Sequence, residues 1–158
     1  MIIDINSELA IALRLFIAFL LGAFVGLERE RHGSPAGIRT YAAVSLGAAL
    51  FTLIGLHSND PTAASRIAAN IVTGIGFLGA GIIYKDNTKG FTHGLTTAST
   101  IWATAAIGVA VAYSMFIVAV ASAVAIYFLL SLHHFQWYIR LKKKWEIKEN
   151  HIHDDDNE

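Results

Sequence analysis

The chain has 158 residues, no net formal charge, 54 % apolar residues and 15 % charged ones, where a soluble domain carries about 25 % charged residues. Of its 24 charged side chains, 11 lie from Arg140 to the C-terminus, which leaves 13 for the first 139 residues. So few charges could not coat a water-soluble fold of this size, which argues against an ordinary soluble enzyme, and the lack of net positive charge outside the tail argues against nucleic-acid binding.

The residues before the first apolar run carry Asp4 and Glu8 and no basic group, the opposite of a signal peptide's n-region, so an uncleaved N-terminus is expected. A membrane-spanning helix needs roughly 20 mostly apolar residues. The first such stretch is Leu9–Leu27, interrupted only by Arg14. The second is Thr40–Leu56 and the third Ile67–Tyr84, both free of charge. The run from Gly90 to Ile139 is also free of charge, but as one helix it would be about 75 Å long against a hydrocarbon core of about 30 Å. It therefore folds back near Ala112–Ser114, giving spans over 95–111 and 115–133. The expected fold is all-α: a bundle of five transmembrane helices over residues 1–139, with a basic and then acidic tail over 140–158.

Basic residues set the orientation. Arg29, Arg31 and Arg39 follow the first span, Lys85 and Lys89 follow the third, and Arg140, Lys142, Lys143, Lys144 and Lys148 follow the fifth. The other loops hold only Arg66, at the end of the second one. This alternation predicts the N-terminus outside and the C-terminus in the cytoplasm. Trp137, Tyr138 and Trp145 fall where an interfacial aromatic belt would lie.

Helices in lipid associate through small residues that let backbones approach. On the first span Gly22 and Gly26 continue a row from Arg14 and Ala18. Arg14 thus points toward the bundle or the outer interface, either as part of a polar cluster with Arg66 and Asn70 or as a snorkelling cation. On the third span Ile67, Ile71, Ile75, Leu78 and Ile82 share one stripe, and Ala69, Thr73, Gly76 and Ala80 lie opposite. The first face is expected to meet lipid and the second, with Gly74, Gly79 and Gly81, to pack on protein. Eight large apolar residues contribute roughly −0.5 kcal/mol each to insertion of this span. Asn70, Thr73 and four glycines erode that sum, so its place should depend on its neighbours. The fourth span aligns Thr97, Thr100, Thr104 and Gly108, suited to backbone and interhelical bonds or to lining a pathway.

Several motifs point nowhere. Gly74-Ile-Gly-Phe-Leu-Gly79 matches a dinucleotide-binding pattern but sits inside an apolar span with no acid at the required distance. Glu28 and Glu30 point about 200° apart on a helix. They read as solvated charges at a helix end, or as an ion-pair network with Arg29, Arg31 and Arg39. His151 and His153 beside Asp154, Asp155 and Asp156 read as a solvated tail, with weak binding of a divalent metal as the alternative. There is no cysteine, no Ser/His/Asp arrangement and no carboxylate inside any span. A non-enzymatic protein without cofactor is expected, and a self-contained cation carrier is poorly supported.

Three stretches resemble the MgtC/SapB family of bacterial inner-membrane proteins: GAFVGLERERHGSPAGIRTYAAVSLGAALF (22–51), RIAANIVTGIGFLGAGIIYK (66–85) and HGLTTASTIWATAAIG (93–108). Together they cover 66 residues. The resemblance implies a five-helix membrane domain. Its motif positions fall on Glu28, Arg29, Gly37, Arg39, Thr40, Arg66, Ala69, Gly74, Gly76, Gly79, Gly81, Gly94, Thr97, Trp102 and Ala106. It also implies a link to magnesium limitation, virulence or acid adaptation, with inhibition of the F-type ATP synthase ascribed to the namesake. Only 19 residues follow Ile139, too few for the ACT-like C-terminal domain of longer members, so a short form is expected.

The expected function is regulatory, through contacts with another membrane protein. The partners are the bilayer and, by resemblance, a complex such as the ATP synthase; a homo-oligomer is also open. The alternative is an oligomeric transporter or channel with a path lined by Thr97, Thr100, Thr104, Asn70 and Gly76. The candidate functional residues are Arg14, Glu28, Arg29, Arg39, Thr40, Arg66, Asn70, Thr97, Trp102 and Thr104. A third reading, an anionic-lipid sensor, rests on the lysines of the tail.

Overall fold

The structure, a computed structural model, describes residues 5–85 and 92–132. The turn Asn87–Gly90, the pair His133-His134, the aromatic residues 137, 138 and 145 and the whole charged tail lie outside the described residues. Five helices follow one another: α1 (Ile5–Arg31), α2 (Ile38–Leu56), α3 (Ala63–Ile82), α4 (Leu95–Ala112) and α5 (Phe116–Ser131). Between α3 and α4, β1 (Tyr84–Lys85) pairs antiparallel with β2 (Thr92–His93). The chain divides into two units, Met1–Tyr127 and Phe128–Glu158. Of the second, residues 128–132 are described and hold the last residues of α5.

Among the described residues four helices are long and apolar enough to cross a membrane: Ser7–Arg31, Ile38–Leu56, Ala63–Ile82 and Leu95–Ala112. Over its described residues α5 has 16 residues, about 24 Å of helix.

Helix ends follow local chemistry. At the end of α1, Gly33 has φ 64°, and the amides of Gly33 and Ser34 bond back to the carbonyls of Glu30 (3.1 Å) and Arg29 (3.0 Å). This pair of bonds is a Schellman cap, which needs a left-handed residue that glycine fills without strain. The α4–α5 reversal uses the same device without glycine. Ser114 takes φ 62°, and the amides of Ser114 and Met115 reach the carbonyls of Val111 and Ala110, both at 2.9 Å. The fold-back thus runs through Tyr113-Ser114-Met115.

The core lies where α2 meets α1 and α4. A Cβ on Gly22 would come 2.8 Å from Ser45 Cβ and 2.6 Å from the Tyr41 carbonyl oxygen, and one on Gly26 2.7 Å from Ile38 Cα. Across the bundle, a Cβ on Gly108 would collide with the Ser45 carbonyl. Tyr41, Ser45, Ala49 and Thr52 are fully buried on α2, and Val25 and Ala18 on α1. On α5, Ala119, Ala123 and Ile126 are buried at helical spacing, and Tyr127 stacks on Phe24 with ring centroids 4.6 Å apart.

α3 turns the other way from the sequence expectation. Its isoleucine stripe faces the bundle: Ile67, Ile71 and Ile75 are half-buried and line a cavity of about 580 Å³ with Ala43, Gly47 and Phe51 of α2. Ala69, Thr73, Gly76 and Ala80 are exposed. A Cβ on Gly74, Gly76 or Gly81 would meet nothing within 4 Å, and of the α3 glycines Gly79 alone finds a neighbour, Ala98 Cβ at 3.4 Å. Among the described residues the expected packing role of Thr73, Gly74, Gly76 and Gly81 is therefore not met. The reason is complementarity. The small residues that admit a close neighbour already lie on the receiving helices, as Ala43, Gly47 and Ala48 on α2 and Ala98 and Ala105 on α4, so α3 brings its large side chains to them.

The two kinds of glycine should separate on substitution. Gly108→Ala, which drives a methyl group into the Ser45 carbonyl, should cost about 1–3 kcal/mol. Gly76→Ala, with open space around it, should be neutral or gain up to about 1 kcal/mol in helix propensity. Unfolding of the two variants in detergent, followed by circular dichroism, checks the contrast; equal losses would contradict it.

Candidate functional site

The polar residues gather at one end of the bundle, where α1 ends and α2 and α4 begin. Gly94 opens α4 at φ 88°, and a Cβ there would strike the Ile82 carbonyl, so only glycine lets α4 start so close to the end of α3. That start places Thr97 beside the last turn of α1. Arg29 Nη2 donates to Thr97 Oγ1 at 2.6 Å and to Ser34 Oγ at 2.8 Å. One turn further along α4, Thr100 Oγ1 lies 2.6 Å from the Tyr41 hydroxyl and donates to the Thr96 carbonyl at 2.7 Å. The Tyr41 hydroxyl is also within electrostatic reach of Arg29. Thr104, fully buried, bonds to the Thr100 carbonyl at 2.7 Å. One connected set of hydroxyls and a guanidinium thus ties α1, α2 and α4 together.

The carboxylates do not behave as a solvated pair. Glu28 is only 4 % exposed, with His32 Nδ1 at 3.6 Å from its Oε1 and 2.6 Å from its backbone carbonyl. Glu30 accepts the Ile38 amide at 2.8 Å and so serves the start of α2, whose N-cap Gly37 has no side chain to offer. Arg29 turns to the hydroxyls of Ser34 and Thr97 and Glu30 to the backbone of α2. Arg31 Nη1 instead donates to the Tyr127 hydroxyl at 3.4 Å. Arg39 and Thr40 are exposed and line a cavity of about 300 Å³ with Glu30 and Ser34.

The remaining candidates are dispersed. Arg14 donates from Nη1 to the carbonyl of Ala112, the last residue of α4, at 3.2 Å; the cation meets the negative end of that helix. It does not cluster with Arg66 or Asn70. Arg66 pairs with Asp60 in the α2–α3 connection. Asn70 is exposed at the mouth of the α2–α3 cavity. Trp102, 49 % exposed, lies on the outer surface of α4 beside Ile71 and Val72 of α3. The five residues of the alternative pathway are likewise not assembled: Thr97, Thr100 and Thr104 are sealed between α4 and its neighbours, Asn70 is in the α2–α3 cavity, and Gly76 is outside.

Sequence reasoning missed Tyr41 and Ser45. A signal was present: Tyr41, Ser45, Ala48 and Thr52 recur at i, i+4, i+7 and i+11, a buried stripe of small and hydroxyl-bearing residues. Among the described residues no group of three or more His, Asp or Glu side chains is placed to hold a metal ion.

Comparison with known proteins places these features. The family model described as the MgtC family matches residues 15–136. The chain is 45 % identical over 114 residues to the protein MgtC of Salmonella typhimurium, covering 72 % of this chain and 48 % of that one. It is 41 % identical over 112 residues to the protein SrpB of Synechococcus elongatus, covering 63 % of this chain and 62 % of that one. With the uncharacterized protein slr0014 of Synechocystis it shares 45 % identity over 96 residues, 61 % of this chain and 40 % of that one. The chain spans about half the length of the curated relatives it matches. No solved structure matches it.

Two outcomes test the site's bonding. Tyr41→Phe and Thr100→Val should each cost about 1 kcal/mol and couple in a double-mutant cycle; strict additivity would show that the 2.6 Å contact contributes nothing. In the α2–α3 connection, hydrogen bonds from the Thr62 hydroxyl and amide hold the Asp60 carboxyl below its ordinary range. A carboxyl depressed on folding stabilises the folded state above its unfolded pKa and loses that contribution as pH falls through the folded one. Thr62→Ala should move the Asp60 titration, followed by NMR, back toward 3.8.

Proposed function

The chain belongs to the MgtC family, and on that premise we propose that it is a non-enzymatic, multi-pass protein of the bacterial inner membrane that regulates another membrane protein through helix–helix contact. The observation that carries this reading is the outward face of α3. Thr73, Gly76 and Ala80 are exposed, Phe77 is 82 % exposed, and a Cβ on Gly76 or Gly81 would meet nothing within 4 Å among the described residues. Close approach of small residues is how helices recognise each other in lipid, and no described residue covers that face.

In this reading α5 is the fifth span. The N-terminus is outside and the C-terminus cytoplasmic, with Arg29, Arg31, Arg39 and Lys85 on the cytoplasmic side. Family resemblance supports a role in magnesium or ion homeostasis and stress adaptation, with a complex such as the F-type ATP synthase as the regulated partner. The transporter reading draws less support, because the threonines of α4 face hydrogen-bonding partners inside the bundle.

A photo-crosslinking residue at position 77 in native membranes should give an adduct with one membrane-protein subunit. Gly76→Leu should abolish both the adduct and co-purification while leaving the unfolding transition of the chain in place. No adduct at position 77, together with magnesium or other solute flux by the pure protein in liposomes, would replace regulation by transport.

A further inference from the structure

α2 and α3 touch closely at one end and part along the rest of their length. A Cβ on Gly55 would come within 2.8 Å of Ala64 Cα, so the last turn of α2 and the first turn of α3 meet backbone to backbone. Further along, the two helices leave the cavity of about 580 Å³ between them. Gly47 of α2 and Gly74 of α3 both line it, and a Cβ on either would meet nothing within 4 Å among the described residues. Gly55 admits a neighbouring backbone, whereas Gly47 and Gly74 widen a space that no described residue fills.

Two properties of this space select its occupant. The first is its width. Spread along the roughly 16 Å of α3 from Ile67 to Leu78, the volume amounts to a mean cross-section of about 35 Å², too little for a helix about 10 Å across. A single hydrocarbon chain, whose carbons pack about 4 Å from their neighbours, can lie in it. The trench also follows the axes of two spanning helices, the direction in which acyl chains run. The second property is its polarity. Every lining residue is apolar or glycine except Asn70. Asn70 is exposed at the mouth, and its side-chain amide has no hydrogen-bond partner among the described residues. Hydrocarbon offers an amide no acceptor. Asn70 lies about two turns inside the start of α3, a depth at which the ester carbonyls of a phospholipid are the nearest acceptors.

We propose that the α2–α3 cavity holds one acyl chain of an ester-linked phospholipid, with the Asn70 amide donating to its ester carbonyl. The methylenes of the chain fill the space over Gly47 and Gly74, and the headgroup stays outside. The inference rests on the chain being a membrane protein and not on which protein α3 contacts.

The test uses the full chain in phosphatidylcholine nanodiscs, with native mass spectrometry counting the lipid retained after release into detergent. The diester lipid should be retained over its dialkyl-ether analogue by about fivefold, the worth of one hydrogen bond. Asn70→Leu should still retain lipid but lose that preference. Gly47→Leu combined with Gly74→Leu, whose added side chains enter open space, should keep native helicity and lose the retained lipid. A phosphatidylcholine with a diazirine near the middle of its acyl chain should cross-link within residues 43–51 or 71–78, and the paired glycine substitutions should abolish the adduct. Retention and cross-linking unchanged by those substitutions, or no ester preference in the unsubstituted chain, would overturn the proposal. So would disulfide dimers of Gly74→Cys in membranes, in a chain with no other cysteine, because they would give the cavity to a second copy.

Discussion

The bundle depends on how near α2 lies to the helices on either side of it. Around Ser45 the chain has a glycine on each flank, Gly22 of α1 and Gly108 of α4, and neither leaves room for one added carbon. Between helices in lipid there is no hydrophobic force to draw on, so van der Waals contact and hydrogen bonds must supply the association. Backbones this close supply the first and force the second. Hydroxyls on the facing surfaces are cut off from outside partners and must bond within the block, as Tyr41 does with Thr100 and Thr104 with its own helix. Ser45 Oγ, buried without a partner, shows the local cost of that closeness.

Given this block, α1 works as a tie across the whole length of α4. Arg14 addresses the last carbonyl of α4, and Arg29 addresses Thr97 in its first turn. The two contacts are electrostatically unlike. Arg14 meets the negative end of a helix and is satisfied by it, whereas Arg29 faces helix starts, where positive charge is disfavoured. The first explains how an arginine can lie within an apolar span by a structural role alone. The second is held by hydroxyls, those of Ser34 and Thr97, which join the end of α1 to the start of α4.

Much of the architecture was legible in the sequence, since charge-free runs of the right length mark helices by a physical requirement of the bilayer. Gly22 and Gly26 were legible as close-packing positions because they continue a small-residue row. The orientation of α3 was not. Periodicity separates two faces of a helix but does not say which one turns inward, and that depends on where the neighbouring helices already keep their small residues. The role of Glu28 was hidden for a similar reason: an acid at a helix end reads as solvated unless the next helices are known to close over it. The stripe that Tyr41 begins was present, but spacing alone does not show that α1 and α4 both close over it.

α3 then stands apart from the block in composition as well as position. Its backbone carries four glycines within Gly74–Gly81, and two of them, Gly76 and Gly81, are on surfaces the described residues leave open. Glycine in a helix costs about 1 kcal/mol relative to alanine, and it offers lipid less side-chain surface than any other residue. A helix that met only hydrocarbon would gain from Ala or Leu at each of these places. Outward glycines make physical sense where another backbone comes close, as it does at Gly22 and Gly108. The same chemistry that holds α2 inside the bundle, displayed on the outer side of α3, is what the proposed contact with a second membrane protein would use.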